Sequence, residues 1–222
     1  MRSMTGPTAP TATPFQQETG EGPLLIADIS GYESFLDDVA TAHAHDAFAD
    51  GNVPTAYRMM SSLLDGIVTD VVPPFTLSKL EGDAVFAFAR IGDGAPQGEA
   101  VLECVRRCYA GFTGRLGQAG DQWTCTCDAC SRASTLDLKF VLHAGRYFVS
   151  EIAGSRELSG PDVVLAHRLL KNSSAEVVGQ PAYALVTDAA ATRLDMPVED
   201  ALHATVKREG HAEIGAYVFA LG

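Results

Sequence analysis

The chain has 222 residues, 46% of them hydrophobic and 20% charged, which suffices for one domain of moderate size with a real core. Its net charge is −12 and its pI lies near 4.8, which argues against nucleic acid as a partner because no basic patch offsets phosphate repulsion. No run approaches the roughly 18–20 apolar residues that a membrane span needs, so no membrane partner is expected.

Residues 1–22 are rich in Thr, Pro and Gly and contain no apolar h-region, so they read as a disordered tail and not as a signal peptide. The domain is expected over 23–222. Its first element runs Leu24-Leu25-Ile26-Ala27 straight into Asp28, the end of a buried strand. Ser30-Gly31 breaks the strand, and Tyr32, Phe35 and Leu36 resume at helical spacing. A carboxylate therefore sits where a strand hands over to a helix N-terminus. Such an edge offers backbone N–H groups and a positive dipole end to phosphate oxygens. Asp28 suits a hard cation such as Mg²⁺, or it merely caps the helix.

That helix is expected to run to about residue 48, with a kink or end near His43 and His45. Asn52 and Pro54 mark the start of a second helix. Its apolar face carries Tyr57, Met60, Leu63, Leu64, Ile67 and Val71, and Pro73-Pro74 ends it. Two short β runs, 75–79 and 84–89, flank Glu81-Gly82-Asp83, a hairpin turn signal. A third helix spans about 99–116, and a polar, Cys-rich segment at about 118–135 reads as a loop. Residues 136–152 are the most β-like, with a bend or hairpin expected at Gly145. A helix over about 160–172, a strand at 184–187, a short helix at 188–194 and strands at 201–208 and 214–220 complete the chain. The pattern predicts an α+β fold: a mostly antiparallel sheet with helices packed on one face, and a ferredoxin-like core in its first part.

In such a core the hairpin lies beside the first strand, so Asp83 and Asp28 converge. Two carboxylates beside an open helix N-terminus are what two-metal phosphoryl or nucleotidyl transfer needs, and Lys79 adds a cationic donor. A Gly-Asp turn with no further role is the plainer alternative.

Three ordered motifs carry a resemblance: Ile26-Ala27-Asp28-Ile29-Ser30-Gly31-Tyr32, then Lys79 with Gly82-Asp83, then Gly160 with Val163, Ala166, Arg168 and Leu169. Together they resemble the class III nucleotidyl cyclases (the adenylate and guanylate cyclase catalytic domain), over roughly 24–219. The stretch 163–172 and the Cys-x-Cys-x-x-Cys segment look most like the cyclase-like DUF2652 family. The resemblance implies a palm-type fold and a head-to-tail homodimer with composite sites at its interface. It implies that Asp28, Asp83 and the carbonyl of Ile29 hold two Mg²⁺ or Mn²⁺ ions, and that Ser30, Gly31 and Tyr32 cradle phosphates. It further implies that Lys79 and Glu157 of the other subunit read the purine, with adenine favoured, and that Arg168 stabilises charge on the α-phosphate. The reaction would be conversion of ATP to cyclic AMP and pyrophosphate. Val164 occupies the position where active members carry an Asn that orients the ribose, which valine cannot do. The resemblance is thus compatible with an adenylate cyclase or with a silent nucleotide-binding, regulatory module.

Cys125, Cys127 and Cys130 lie within six residues, and Cys104 and Cys108 share a face of the preceding helix. Three thiolates with Cys108 as a fourth could form a structural Zn²⁺ site. Alternatively the thiols are redox-active or simply reduced, and Cys104 and Cys108 are small core residues. Five cysteines, an odd number, fit a reducing compartment, so a cytoplasmic location is expected. A zinc scaffold that needs no nucleotide is the third functional alternative. His143 reads as a core histidine, while His43, His45, His203 and His211 show no usable pattern.

Overall fold

The structure is a computed structural model and describes residues 17–45, 53–92, 96–121, 125–153, 155–172, 174–208 and 211–222. Most of the expected tail, and Asn52 at the expected start of the second helix, lie outside the described residues.

Period-two alternation along β1 (Gln17–Ser30) decides the architecture. Leu25, Ala27 and Ile29 point to one face and Leu24, Ile26 and Asp28 to the other. The first set joins a core with α1 (Tyr32–Ala42), α2 (Thr55–Val71), α3 (Gly98–Asp121) and α7 (Asp188–Leu194). Leu24 and Ile26 join a second core with Val163 and Ala166 of α5 (Pro161–Arg168). A third cluster beneath α6 (Ser174–Val178) holds Val141, Leu185 and Val218. Helices therefore cover both faces, not one. The sheet demands this, because β1 is apolar on both sides from Leu24 to Ala27.

β1 pairs antiparallel with β3 (Ala84–Phe88) and with β4 (Asp137–Ile152), and β2 (Thr76–Glu81) extends the sheet beyond β3. The path among the described residues is β2-β3-β1-β4-β6-β8-β7, with β5 (Ser155–Ser159) turning back along the far end of β4. β6 (Tyr183–Thr187) runs parallel to β4, whereas β7 (Leu202–Arg208) and β8 (His211–Ala220) are antiparallel. The sheet is mostly antiparallel, as the alternating pattern predicts.

Several boundaries differ from expectation. β1 begins at Gln17, inside the stretch expected to be tail, because it pairs with β4 as far as Ser150. β4 is one continuous strand through Gly145, which lies opposite Gly22, and the hairpin follows Ile152. Gly145 marks a close approach and not a bend: a Cβ there would lie 2.3 Å from Asp162 Cγ on α5. The Cys-rich segment is partly helical, forming α4 (Asp128–Ser131) and a 3-10 turn (Arg132–Thr135), and α3 reaches Asp121.

Candidate active site and metal centre

Asp28 continues the α5-facing set on β1, lying opposite Ala84 on β3 and Lys139 on β4. Lys139 Nζ lies 3.2 Å from Asp28 Oδ1, and both side chains are largely buried. Asp83, in the β2–β3 turn, accepts at its carbonyl from the Ile29 N–H, 3.2 Å away, which ties the turn to the end of β1. Burial first, and the Asp28 charge second, push the Asp83 carboxyl above the usual carboxylate range; Glu33 adds to this and Lys139 opposes it. Burial, then Asp83, likewise pushes the Tyr32 hydroxyl up. Asp28, Asp83, Glu33, Tyr32 and Lys139 thus form one electrostatic neighbourhood.

Gly31 precedes α1 with φ of 87°, a left-handed conformation that only glycine adopts readily. It turns the chain so that α1 starts beside the carboxylates, and the Phe35 N–H donates to the Gly31 carbonyl at 3.0 Å. The first backbone N–H groups of such a helix have no partner within it.

A second group gathers around Lys79. Its Nζ lies 3.0 Å from Glu157 Oε2 on β5 and 3.2 Å from Glu81 Oε1. The hydrogen bond to Glu157 is the leading cause that holds the Lys79 ammonium above its ordinary value. Glu81 also meets His167 Nε2 at 2.6 Å, and His167 Nδ1 donates to the Val163 carbonyl at 2.8 Å. The His167 ring rests edge-on against Phe86, with centroids 4.8 Å apart. His167 therefore serves this network through Glu81. Arg168 ends α5 and is exposed, and Val164, one turn earlier, is 47% exposed.

Behind the site, His143 is buried with Nδ1 2.9 Å from Thr187 Oγ1 and Nε2 3.6 Å from Asp162 Oδ1. Asp162 accepts from the Arg146 N–H at 2.7 Å, locking the start of α5 to β4.

The cysteine segment is assembled differently from expectation. His43, the residue that ends α1, brings Nε2 to 3.6 Å from Cys125 Sγ, 3.3 Å from Cys127 Sγ and 3.4 Å from Cys130 Sγ. These four donor atoms lie within 4.8 Å of one another. Cys108 is not among them. It is fully buried on α3, where burial pushes its thiol well up and its charged neighbours are Asp70, Arg115 and Arg107. The Cys130 N–H donates to Cys127 Sγ at 3.4 Å and is the leading cause that holds the Cys127 thiol down at about 6, while burial pushes Cys130 up to about 12. All five cysteines are unbridged.

Lys139, Glu33, Glu81 and His43 went unrecognised in the sequence. Lys139 had a visible signal, a charge inside an otherwise apolar strand. His43 had none, because its sulfur partners begin 82 residues later.

Residues 60–178, more than half of the chain, match the family described as "Protein of unknown function (DUF2652)". The uncharacterized protein Rv2561/Rv2562 of Mycobacterium tuberculosis is 35% identical over 141 residues, which are 63% of this chain and 62% of that protein. The likeness thus spans less than two thirds of the relative's own length. The adenylyl cyclase CyaB from Pseudomonas aeruginosa superposes with a TM-score of 0.61 at 13% identity, covering 91% of this chain and 95% of that one. A class III adenylyl cyclase-like ATP-binding protein from the same organism gives a TM-score of 0.55 at 16% identity, over 79% of this chain and 35% of that one. At such identities the likeness is one of fold. The chain belongs to the DUF2652 family and has the fold of the class III nucleotidyl cyclase catalytic domains.

Proposed function

We propose that this protein binds ATP as a divalent-metal complex and converts it to 3′,5′-cyclic AMP and pyrophosphate at a homodimer interface. The observation that carries this reading is the Lys79–Glu157 pair, 3.0 Å apart although 78 residues separate them in sequence. An ammonium beside a carboxylate matches the Watson–Crick edge of adenine. Lys79 donates to a ring nitrogen and Glu157 accepts from the exocyclic amine. In the same pose guanine would turn its carbonyl oxygen toward Glu157 and its N1–H toward Lys79, which favours adenine weakly.

The carboxylate end fits a hard cation, because Asp28 and Asp83 are close enough for the charge on one to oppose ionisation of the other. Two Mg²⁺ or Mn²⁺ ions held by Asp28, Asp83 and the Ile29 carbonyl would supply activation of the ribose 3′-hydroxyl and screening of the triphosphate. Ser30, Gly31 and Tyr32 take the β- and γ-phosphates at the start of α1. Arg168 stabilises the charge that builds on the α-phosphate. Exposed Leu80, Phe148, Ile152 and Val164 lie on β2, β4 and α5, the elements around Lys79, and supply apolar area for a second copy.

Val164 supports a second reading, a nucleotide-binding module without turnover, since a valine side chain cannot donate a hydrogen bond to the ribose. Incubation with ATP or GTP and Mn²⁺ separates the two. Cyclic AMP that disappears in Asp83→Ala establishes the cyclase. No product, but Mn²⁺-dependent binding of a non-hydrolysable ATP analogue, establishes the module. Neither product nor binding would sink both.

A further inference from the structure

We propose that His43, Cys125, Cys127 and Cys130 form a closed, tetrahedral zinc site that pins the end of α1 to α4. The distances carry it. Zn–S bonds of about 2.3 Å and Zn–N bonds of about 2.0–2.1 Å at tetrahedral angles separate nitrogen from sulfur by about 3.5 Å. The three Nε2–Sγ separations are 3.6, 3.3 and 3.4 Å. One imidazole converging on three sulfurs from a different element is hard to explain by packing, because each contact is a weak hydrogen bond at best.

The donor set selects the ion. Soft thiolates with an imidazole favour Zn²⁺, whereas the oxygen donors Asp28 and Asp83 suit Mg²⁺ or Mn²⁺. Four protein ligands leave no open position, so this zinc is structural, not catalytic.

The local structure also needs a cross-link. α4 is a single turn followed by a 3-10 turn, and its buried residues are the small Ala129, Cys130 and Ala133. So short a helix does not hold itself together in water. Among the described residues one ion pair links α1 to this segment, Asp38–Arg132 at 2.7 Å, and it is largely exposed. Zinc would supply a second, far stronger tie at the end of α1 remote from Gly31. The site shares no residue with the nucleotide cleft, so it stands or falls separately from the proposed function.

The test is metal analysis of the full-length protein purified under reducing conditions without added metal. About one zinc per chain is expected. Exchange with Co²⁺ should give tetrahedral d–d bands and thiolate-to-cobalt charge-transfer absorption, and stripping with EDTA should lower Tm. His43→Ala should reduce zinc content at least about tenfold, while Cys108→Ala and Asp83→Ala retain it. Wild-type protein that carries no zinc and shows no cobalt bands overturns the proposal, and needs no variant to fold. Loss of zinc in Cys108→Ala with retention in His43→Ala overturns it too. So does a disulfide among Cys125, Cys127 and Cys130 in protein that takes up no metal.

Discussion

Lys139 occupies the side of Asp28 where a cation competes with it, 3.2 Å from Oδ1. A bound metal must share Asp28 with this ammonium or displace it. Lys139→Ala should therefore strengthen binding of Mn²⁺ alone by about 3–10-fold in calorimetric titration, because a competing positive charge is removed; weaker binding would contradict the arrangement. Asp83 makes a second residue-scale prediction. Its native pKa lies above the unfolded value, so between the two the native state holds a proton that the unfolded chain has lost. Stability contributed by this group falls as pH rises through that window, and at neutral pH the ionised Asp83 is a net cost. Asp83→Asn should raise the Tm of metal-free protein by about 1–3 °C at pH 7 and have no such effect near pH 3. Mn²⁺ should raise the Tm of wild type and not of the variant. Val164 is exposed, so Val164→Asn costs little stability. If ribose orientation limits turnover, cyclic AMP formation should rise at least about tenfold.

At the scale of elements, β4 and α5 form the rigid unit behind the candidate site. β4 carries Lys139, His143 and Gly145, and α5 carries Val163, His167 and Arg168. Their contact depends on the absence of a side chain at Gly145, which lets Asp162 reach the Arg146 N–H at 2.7 Å. Gly145→Ala forces either Asp162 or the start of α5 to move. A loss of about 1–3 kcal/mol in urea unfolding is expected, together with weaker nucleotide binding, since His167 and Arg168 shift with the helix. An unchanged unfolding midpoint would mean that α5 is not seated as described. The network of Lys79, Glu81, Glu157 and His167 likewise joins β2, β5 and α5, so the Lys79–Glu157 pair is held by three elements.

For the whole molecule, the sheet is covered on both faces, yet Leu80 on β2, Phe148 and Ile152 on β4 and Val164 on α5 remain exposed. Within one chain Lys79 and Asp83 have separate electrostatic neighbours, Glu157 and Glu81 for the first and Asp28, Glu33 and Lys139 for the second, as the proposed homodimer would require. Each group would complete a site across the interface. Phe148→Glu combined with Ile152→Glu should give a monomer in sedimentation velocity and abolish cyclic AMP formation, with the fold intact by circular dichroism. A dimer that survives both changes would place the interface elsewhere. Among the described residues no helix is long and apolar enough to cross a membrane.

What the amino-acid sequence determines by itself is whatever contiguous residues encode. The apolar run into Asp28, the Gly-Asp turn at Asp83, the face of α2 and the antiparallel character of the sheet are local signals of periodicity and turn chemistry, and they are legible. The covering of the second sheet face is not, because a strand apolar on both sides does not say which helix will lie on it. Gly145 shows the same limit: a glycine inside an apolar strand pattern looks like a bend until α5 is seen to press Asp162 against it. Tertiary structure alone decided that Lys139 meets Asp28, that Glu81 couples Lys79 to His167, and that His43 replaces Cys108 beside three sulfurs. The cause is common to all three. Convergence of side chains from distant segments is set by sheet register and helix packing, and residue spacing along the chain carries no record of either.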